Sequence, residues 1–296
     1  MTGPDTAHIP QSTLPSWFRQ PLPDINSIKQ LKDILSDRGL TTVCQGARCP
    51  NLGRCWGRGV ATFMILGHTC TRACRFCAVA SGTPNAPDAD EPRQIARTVK
   101  ELGLQYVVIT SVTRDDLPDQ GAGHFIETVQ ALKNAVAEIT VELLIPDFSG
   151  RSDCLQGVAC SGAEVIGHNI ETVERVFSRV RPQADYRRSL DVLERIKALN
   201  PVVMTKSGLM VGLGESRDDV LETLRDLRSV GCDLLTIGQY LPPMRGERHM
   251  PVKRFVVPQE FEDYRAEALG MGFRHAFCGP LVRSSYLAEQ GYREAK

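Results

Sequence analysis

The sequence predicts an α/β protein, a partial TIM-type (β/α)6 barrel with an extension at each end. Three observations predict it. Short apolar runs alternate with segments of helical period, the pattern of βα units on a parallel sheet. Such units, joined by right-handed crossovers, curl toward a full or partial barrel. Polar and cysteine-rich stretches stand directly after the apolar runs, where parallel-strand folds carry their chemistry.

Taken in order, residues 1–24 hold Pro4, Pro10, Pro15, Pro21 and Pro23 and read as an arm, extended over the body or disordered. A helix is expected over Ile25–Asp37, with Leu31, Ile34 and Leu35 on one face and Gly39 as its stop. A Gly- and Pro-containing loop with three cysteines follows. Ala61–Leu66 reads as the first strand, then helix Glu91–Leu102 and strand Gln105–Ile109. Helix Phe125–Ala137 leads to strand Thr140–Leu144, and helix Ser152–Cys160 to strand Glu164–Gly167. Helical pattern spans Glu171–Val180 and Ser189–Leu199, followed by two strands, Val202–Thr205 and Leu209–Val211. Helix Arg217–Ser229, strand Leu234–Ile237, helix Gln259–Leu269 and a last strand Phe273–Phe277 complete the series.

The chain has 296 residues, 42% apolar and 24% charged, an ordinary globular balance with ample length for a core. Formal net charge is zero, so the composition points to neither nucleic acid nor an anionic membrane as partner. No apolar run approaches the roughly 20 residues that span a bilayer. Residues 1–11 lack the basic and apolar regions of a secretory signal, and a cytoplasmic location is expected.

Ten cysteines stand out, and six of them fall between Cys44 and Cys77. In a reducing compartment, clustered cysteines point to metal or redox chemistry rather than disulfides. Cys154, Cys160, Cys232 and Cys278 are scattered and read as small buried side chains. Cys70, Cys74 and Cys77 form a C-x3-C-x2-C loop after the first strand. Three thiolates can bind three irons of a four-iron cubane and leave the fourth open to a ligand. The alternative is a structural zinc site completed by His68. Cys44, Cys49 and Cys55 make a C-x4-C-x5-C group, with Gly46, Pro50 and Gly53 permitting tight folding around a second cluster. By spacing alone, that group equally suits a structural cluster or zinc that anchors the arm.

The C-x3-C-x-F-C stretch after the first strand resembles the signature of the radical S-adenosylmethionine (SAM) enzymes. The pair of groups, C-x4-C-x5-C before C-x3-C-x2-C, is similar to the lipoyl synthase family. Arg283-Ser284-Ser285-Tyr286 resembles the R-S-S-Y motif of that family. So do ATFMILGHTCTRACRFCAV (61–79), TSVTRDDL (110–117), HNIETV (168–173), KSGLMVGLGE (206–215) and TIGQYLPP (236–243). His68, where the family is expected to carry Asp, and Leu287, where His often follows the motif, depart from the pattern.

The resemblance implies two 4Fe-4S clusters and two SAM molecules per lipoyl group. Cys70, Cys74 and Cys77 would hold the cluster that cleaves SAM. Cys44, Cys49, Cys55 and Ser285, with Ser284 as the alternative, would hold an auxiliary cluster that gives up sulfur. A hard oxygen ligand leaves iron more readily than a thiolate does. A helix N-cap is the competing reading of the serine pair. Phe76 would pack beside the adenine, and Thr110, Asn169, Glu171, Lys206 and Gln239 would contact SAM. Asn169 and Glu171 read equally as a helix cap, and the glycines around Gly212 and Gly214 as a tight turn. Arg114-Asp115-Asp116 reads as a polar loop, gated or simply solvated.

The implied reaction replaces C–H by C–S at C6 and C8 of a protein-bound octanoyl-lysine, a hydrogen removal that no side-chain base achieves. Implied partners are octanoylated lipoyl carrier domains (dehydrogenase acyltransferase components and the glycine cleavage H protein) and a flavodoxin or ferredoxin donor. The expected division is 1–60 for the arm and auxiliary-cluster loop, 61–280 for the barrel and 281–296 for the extension with R-S-S-Y. Rival readings are another sulfur-inserting radical enzyme, such as a methylthiotransferase, and a zinc-bound scaffold without catalysis.

Overall fold

The chain is described by a computed structural model covering residues 14–20, 25–56, 62–244, 246 and 248–296. The proline-rich arm falls mostly outside the described residues. Its described part forms a 3-10 turn at Ser16–Phe18, with Phe18 buried edge-to-face against Phe255 at 5.7 Å.

In chain order the elements are α1 (Ile25–Asp37), α2 (Val43–Gly46), α3 (Leu52–Trp56), β1 (Thr62–Ile65), β2 (Thr69–Cys70), β3 (Ala80–Ser81) and α4 (Glu91–Glu101). Then come β4 (Tyr106–Ser111), α5 (Ala122–Ala135), β5 (Thr140–Leu144), α6 (Ser152–Ala159), β6 (Val165–Gly167), α7 (Glu174–Val180) and α8 (Tyr186–Leu199). Last are β7 (Met204–Val211), α9 (Arg217–Ser229), β8 (Leu234–Gln239), α10 (Pro258–Gly270), β9 (His275–Gly279) and α11 (Ala288–Ala295).

Seven strands form one parallel sheet in the order β1-β4-β5-β6-β7-β8-β9, and the two strands β2 and β3 pair separately around the second cysteine loop. β1 and β9 are its edges, so the barrel is partial, as the sequence predicts. Alternation along the strands splits the sheet into two faces. One face carries Val107, Ile109, Val141, Leu143 and Ile166 into a core under α4, α5, α6 and α8. The same face carries Leu209, Val211, Leu235, Ile237 and Ala276 into a second core under α7 to α10. The other face lines the inside of the curl with Tyr106, Glu142, Lys206, Gly208, Thr236 and Gly238. Leu31, Leu35, Leu40 and Trp56 of the N-terminal segment join the first core.

The two strands expected at 202–205 and 209–211 are one continuous strand, β7. The polar run Lys206-Ser207-Gly208 suggests a break, but its polar groups are satisfied inside the protein. Lys206 Nζ donates to Glu142 at 2.6 Å, and Ser207 Oγ donates to the His168 carbonyl at 2.9 Å. The sequence pattern predicts no helix after β9, yet α11 lies along that strand. Its Tyr292 packs on Tyr106 and, with Ala295, on the first residues of β6, β7 and β8. Among the described residues no helix is long and apolar enough to cross a membrane.

Candidate functional site

The second cysteine loop leaves β1 through Leu66 and Gly67, both with positive φ, and is clamped on several sides. Arg72 donates to both oxygens of Asp115, at 2.9 and 2.7 Å, and to Asp147 at 2.7 Å. Arg75 N donates to the Val180 carbonyl, and its own carbonyl accepts from Met250 N, both at 2.9 Å. Arg248 donates to the Val79 carbonyl at 3.2 Å and to Ser81 at 2.9 Å. The loop is thus tied to the ends of β4 and β5, to α7 and to the segment after β8.

Backbone amides point at its sulfurs. Cys70 Sγ accepts from Arg72 N at 3.4 Å and from Thr113 N at 3.3 Å, and Cys77 Sγ accepts from Val79 N at 3.4 Å. Burial raises the Cys74 thiol and pushes Cys77 up to about 12. A bound iron reverses that preference, because a coordinated thiol is deprotonated outright. Amides aimed at sulfur, together with three free thiols, fit a cluster held by thiolates.

The first cysteine loop folds into α2 and α3, two short helices that the sequence pattern does not predict. Cys44 lies in α2 and Cys55 in α3, with Cys49 between them. Burial raises Cys44 and Cys49, while the Arg283 guanidinium opposes the rise at Cys49. None of the ten cysteines is joined in a disulfide. Among the described residues no three Cys, His, Asp or Glu side chains are gathered as ligands of one metal ion. In a cubane each thiolate takes a different iron.

Residues 280–286 form a strap across the first loop. Asn51 Nδ2 donates to the Leu281 carbonyl at 2.6 Å, and Arg54 lies 5.6 Å from the Tyr286 ring centre. Ser284 Oγ donates to Asn169 Oδ1 at 2.9 Å. Asn169 in turn donates to Glu171 at 3.1 Å, and its carbonyl accepts from Arg181 at 3.0 Å.

Glu171 holds a left-handed φ of 67°, a conformation that costs a side-chain-bearing residue energy and clusters at functional sites. It is fixed there by Glu171 N donating to the Gly208 carbonyl and Met210 N donating to its own carbonyl, at 2.9 and 2.8 Å. Burial raises its carboxyl, opposed by Arg181, Asn169 and Arg283. The same Glu171 raises Cys74, and burial lowers Arg283 against the pull of Cys49 and Glu171. Asn169 and Glu171 therefore stand between the two cysteine loops.

The radical SAM superfamily model matches residues 64–227. The chain is 52% identical to the lipoyl synthase of Thiobacillus denitrificans over 285 residues, covering 95% of this chain and 91% of that one. It is 48% identical to the lipoyl synthase of Caldanaerobacter subterraneus subsp. tengcongensis, covering 95% and 98%. The chain belongs to the lipoyl synthase family. Its fold is shared with methylornithine synthase at a TM-score of 0.50 and 15% identity, covering 84% of this chain and 81% of that structure.

Membership of the lipoyl synthase family and of the radical SAM superfamily implies a 4Fe-4S cluster, SAM and a protein-bound octanoyl substrate. The remaining expected residues lie as follows. Phe76 is half-buried against the second core. Thr110 lies inside the curl, its hydroxyl donating to the Leu144 carbonyl at 3.0 Å. Lys206 is committed to Glu142, which also accepts from the Tyr106 hydroxyl at 2.5 Å. Gln239 faces away from the lumen, and its amide donates to the carbonyls of Val211, Tyr240 and Arg254, each at 3.1 Å. Asp147 and Arg181 carry no motif of their own, and only the topology brings them to the site; Arg72 lies within the cysteine loop, but nothing in the sequence singles it out as the clamp. Arg114-Asp115-Asp116 is part of the loop clamp: Arg114 is buried and bidentate to Asp116, and Asp115 holds Arg72.

Proposed function

We propose that the chain inserts two sulfur atoms, at C6 and C8, into a protein-bound octanoyl-lysine, with the sulfur drawn from an auxiliary cluster of its own. The observation that carries this reading is the junction at Asn169. That residue is bonded to the strap serine on one side and to Glu171, which faces the second cysteine loop, on the other.

When bound, the cluster on Cys70, Cys74 and Cys77 together with SAM supplies a 5′-deoxyadenosyl radical able to take hydrogen from an unactivated carbon. The residues do the positioning. Phe76, Asn169 and Glu171 bind the cofactor at the strand ends, and Thr110 borders it inside the curl. Lys206 lines the inside of the curl through its pair with Glu142, and Gln239 braces the mouth from behind. Cys44, Cys49, Cys55 and Ser285 hold the auxiliary cluster as the sulfur-donating substrate. The Ser284 hydroxyl is taken by Asn169, whereas Ser285 has no hydrogen-bond partner among the described residues, which favours Ser285 as the oxygen ligand. Reacting atoms must sit within a few ångströms in a site closed to water.

The octanoyl chain arrives on a lipoyl carrier domain, an acyltransferase component or an H protein, and a flavodoxin or ferredoxin provides electrons. The working location is cytoplasmic, and the functional segments are 1–60, 61–280 and 281–296. The test is an anaerobic reaction with an octanoyl-lysyl peptide, SAM and dithionite, read by mass spectrometry beside iron analysis. The expected result is a peptide gaining two sulfurs from a chain carrying about eight irons. A chain that holds a single cube after full reconstitution overturns the sulfur-donor assignment.

A further inference from the structure

The strap is seated by the absence of a side chain on β8. A Cβ placed on Gly238 would lie 2.0 Å from the Val282 carbonyl oxygen and 3.2 Å from Arg283 Nη1. The first distance is far inside van der Waals contact, and the atom struck is backbone, which no rotamer change moves away. Gly238 is not among the glycines with positive φ, so its backbone conformation does not call for glycine; the space does. On the neighbouring strand, a Cβ on Gly208 would lie 2.5 Å from Thr236 Oγ1 and 3.1 Å from Asn169 Oδ1, the atom that accepts from Ser284. Gly208 and Gly238 pair with adjacent residues of the sheet, Thr236 and Met210 respectively. Together they form a shallow floor on which the strap and its anchor rest.

We propose that Gly238 is a positioning residue for the serine ligand of the auxiliary cluster. It lets residues 280–286 sink against β8, so that Ser284 reaches Asn169 and Ser285 is presented toward the first cysteine loop. The seat has three further ties: Gln239 N donates to the Pro280 carbonyl at 3.3 Å, Val282 N to the Gly279 carbonyl at 3.1 Å, and Asn51 to the Leu281 carbonyl. This inference rests on the sulfur-donor reading above for the ligand, but the seat itself is a property of the polypeptide.

The experiment uses the full chain, reconstituted anaerobically, in wild-type, Gly238→Ala, Asn51→Ala and Gly270→Ala forms. Gly270, at the end of α10, has open space where a methyl group would stand, with no neighbouring atom within 4 Å, and serves as the control. Amide exchange is followed over 280–287, where the Val282 and Tyr286 amides are hydrogen-bonded, and both clusters are examined by electron paramagnetic resonance. In Gly238→Ala, exchange of those two amides rises about tenfold or more, because the strap is unseated. The auxiliary-cluster spectrum changes, while the spectral response of the other cluster to SAM persists. Asn51→Ala shifts both readouts the same way without any overlap in the sheet, so the answer survives if Gly238→Ala does not fold. Gly270→Ala matches wild type. Wild-type exchange and spectra in both strap variants would overturn the proposal alone. A wild-type chain with one cube would overturn the sulfur-donor reading and the serine's role with it.

Discussion

Arg72 and Asp147 meet at 2.7 Å with both side chains almost wholly removed from solvent, in the middle of the loop that carries three cysteines. Burial alone would raise the Asp147 carboxyl, yet the Arg72 guanidinium holds it well below the usual carboxylate range. A second arginine, Arg188, lies 3.5 Å from its other oxygen. Removing one partner of a buried pair leaves an uncompensated charge. Arg72→Leu is therefore expected to cost about 3 kcal/mol in urea unfolding. Because the folded carboxyl is depressed, this contribution is present above the ordinary unfolded value near 4 and is lost as pH falls further. The variant should lose less stability than wild type on acidification below about pH 4.

His168 gives a pH dependence in a milder range. Burial pushes it down to about 4, with Arg181 adding to the fall, and its Nδ1 lies 2.9 Å from the Ile145 carbonyl. The folded chain therefore keeps the ring neutral where the unfolded chain, titrating near 6.5, takes up a proton. Stability is full above about pH 6.5 and falls as pH drops toward 4, by on the order of 3 kcal/mol across that window. Urea midpoints of wild type and His168→Gln should converge as pH falls from 7.5 to 5. Parallel curves would remove His168 as the cause.

How much of this is legible in the sequence depends on the range over which each signal acts. Thr140–Leu144 and Arg217–Ser229 coincide with their expected elements because apolar periodicity and caps are local; Ser216 and Asp219 form a capping box at the start of α9. The cysteine triads stand out by their spacing, whereas the role of each is implied only by the resemblance. β7 reads as two strands because a lysine inside a strand looks like a break until Glu142, 64 residues earlier, is seen opposite it. Arg181 cannot be singled out, since nothing near it in sequence says that the end of α7 returns to Asn169 and the second cysteine loop. α11 is eight residues long, too short to declare itself without the strand that it covers.

The Lys206–Glu142 pair separates a structural role from direct contact with the cofactor. Both side chains are buried, and Tyr106 supplies the second bond to the carboxylate. Lys206→Met should cost about 3–5 kcal/mol by stranding Glu142, whereas Lys206→Met with Glu142→Leu should recover most of that loss. Equilibrium dialysis of SAM against the double variant provides the second readout. Affinity within about twofold of wild type is expected, because the ammonium is already committed to the carboxylate. A loss of affinity that persists when stability has returned would place Lys206 at the cofactor.

The two cysteine loops should fail in different ways. Cys70→Ala removes a thiolate that two backbone amides address, and SAM cleavage should fall by at least about a hundredfold. Cys44→Ala leaves that loop and its Arg72 clamp intact, so methionine and 5′-deoxyadenosine should still form, with no sulfur entering the octanoyl peptide. The serines then distinguish ligand from anchor. Ser285→Ala should abolish sulfur transfer and alter the auxiliary-cluster spectrum. Ser284→Ala should weaken transfer only about tenfold, because it removes one hydrogen bond to Asn169, on the order of 1 kcal/mol, and leaves the oxygen ligand in place. Product sulfur counts and 5′-deoxyadenosine yields, measured in the same reactions, check all four variants. If Ser284→Ala were the null variant and Ser285→Ala the mild one, the two roles would exchange, and the bond between Ser284 and Asn169 would have to break before the cluster could bind.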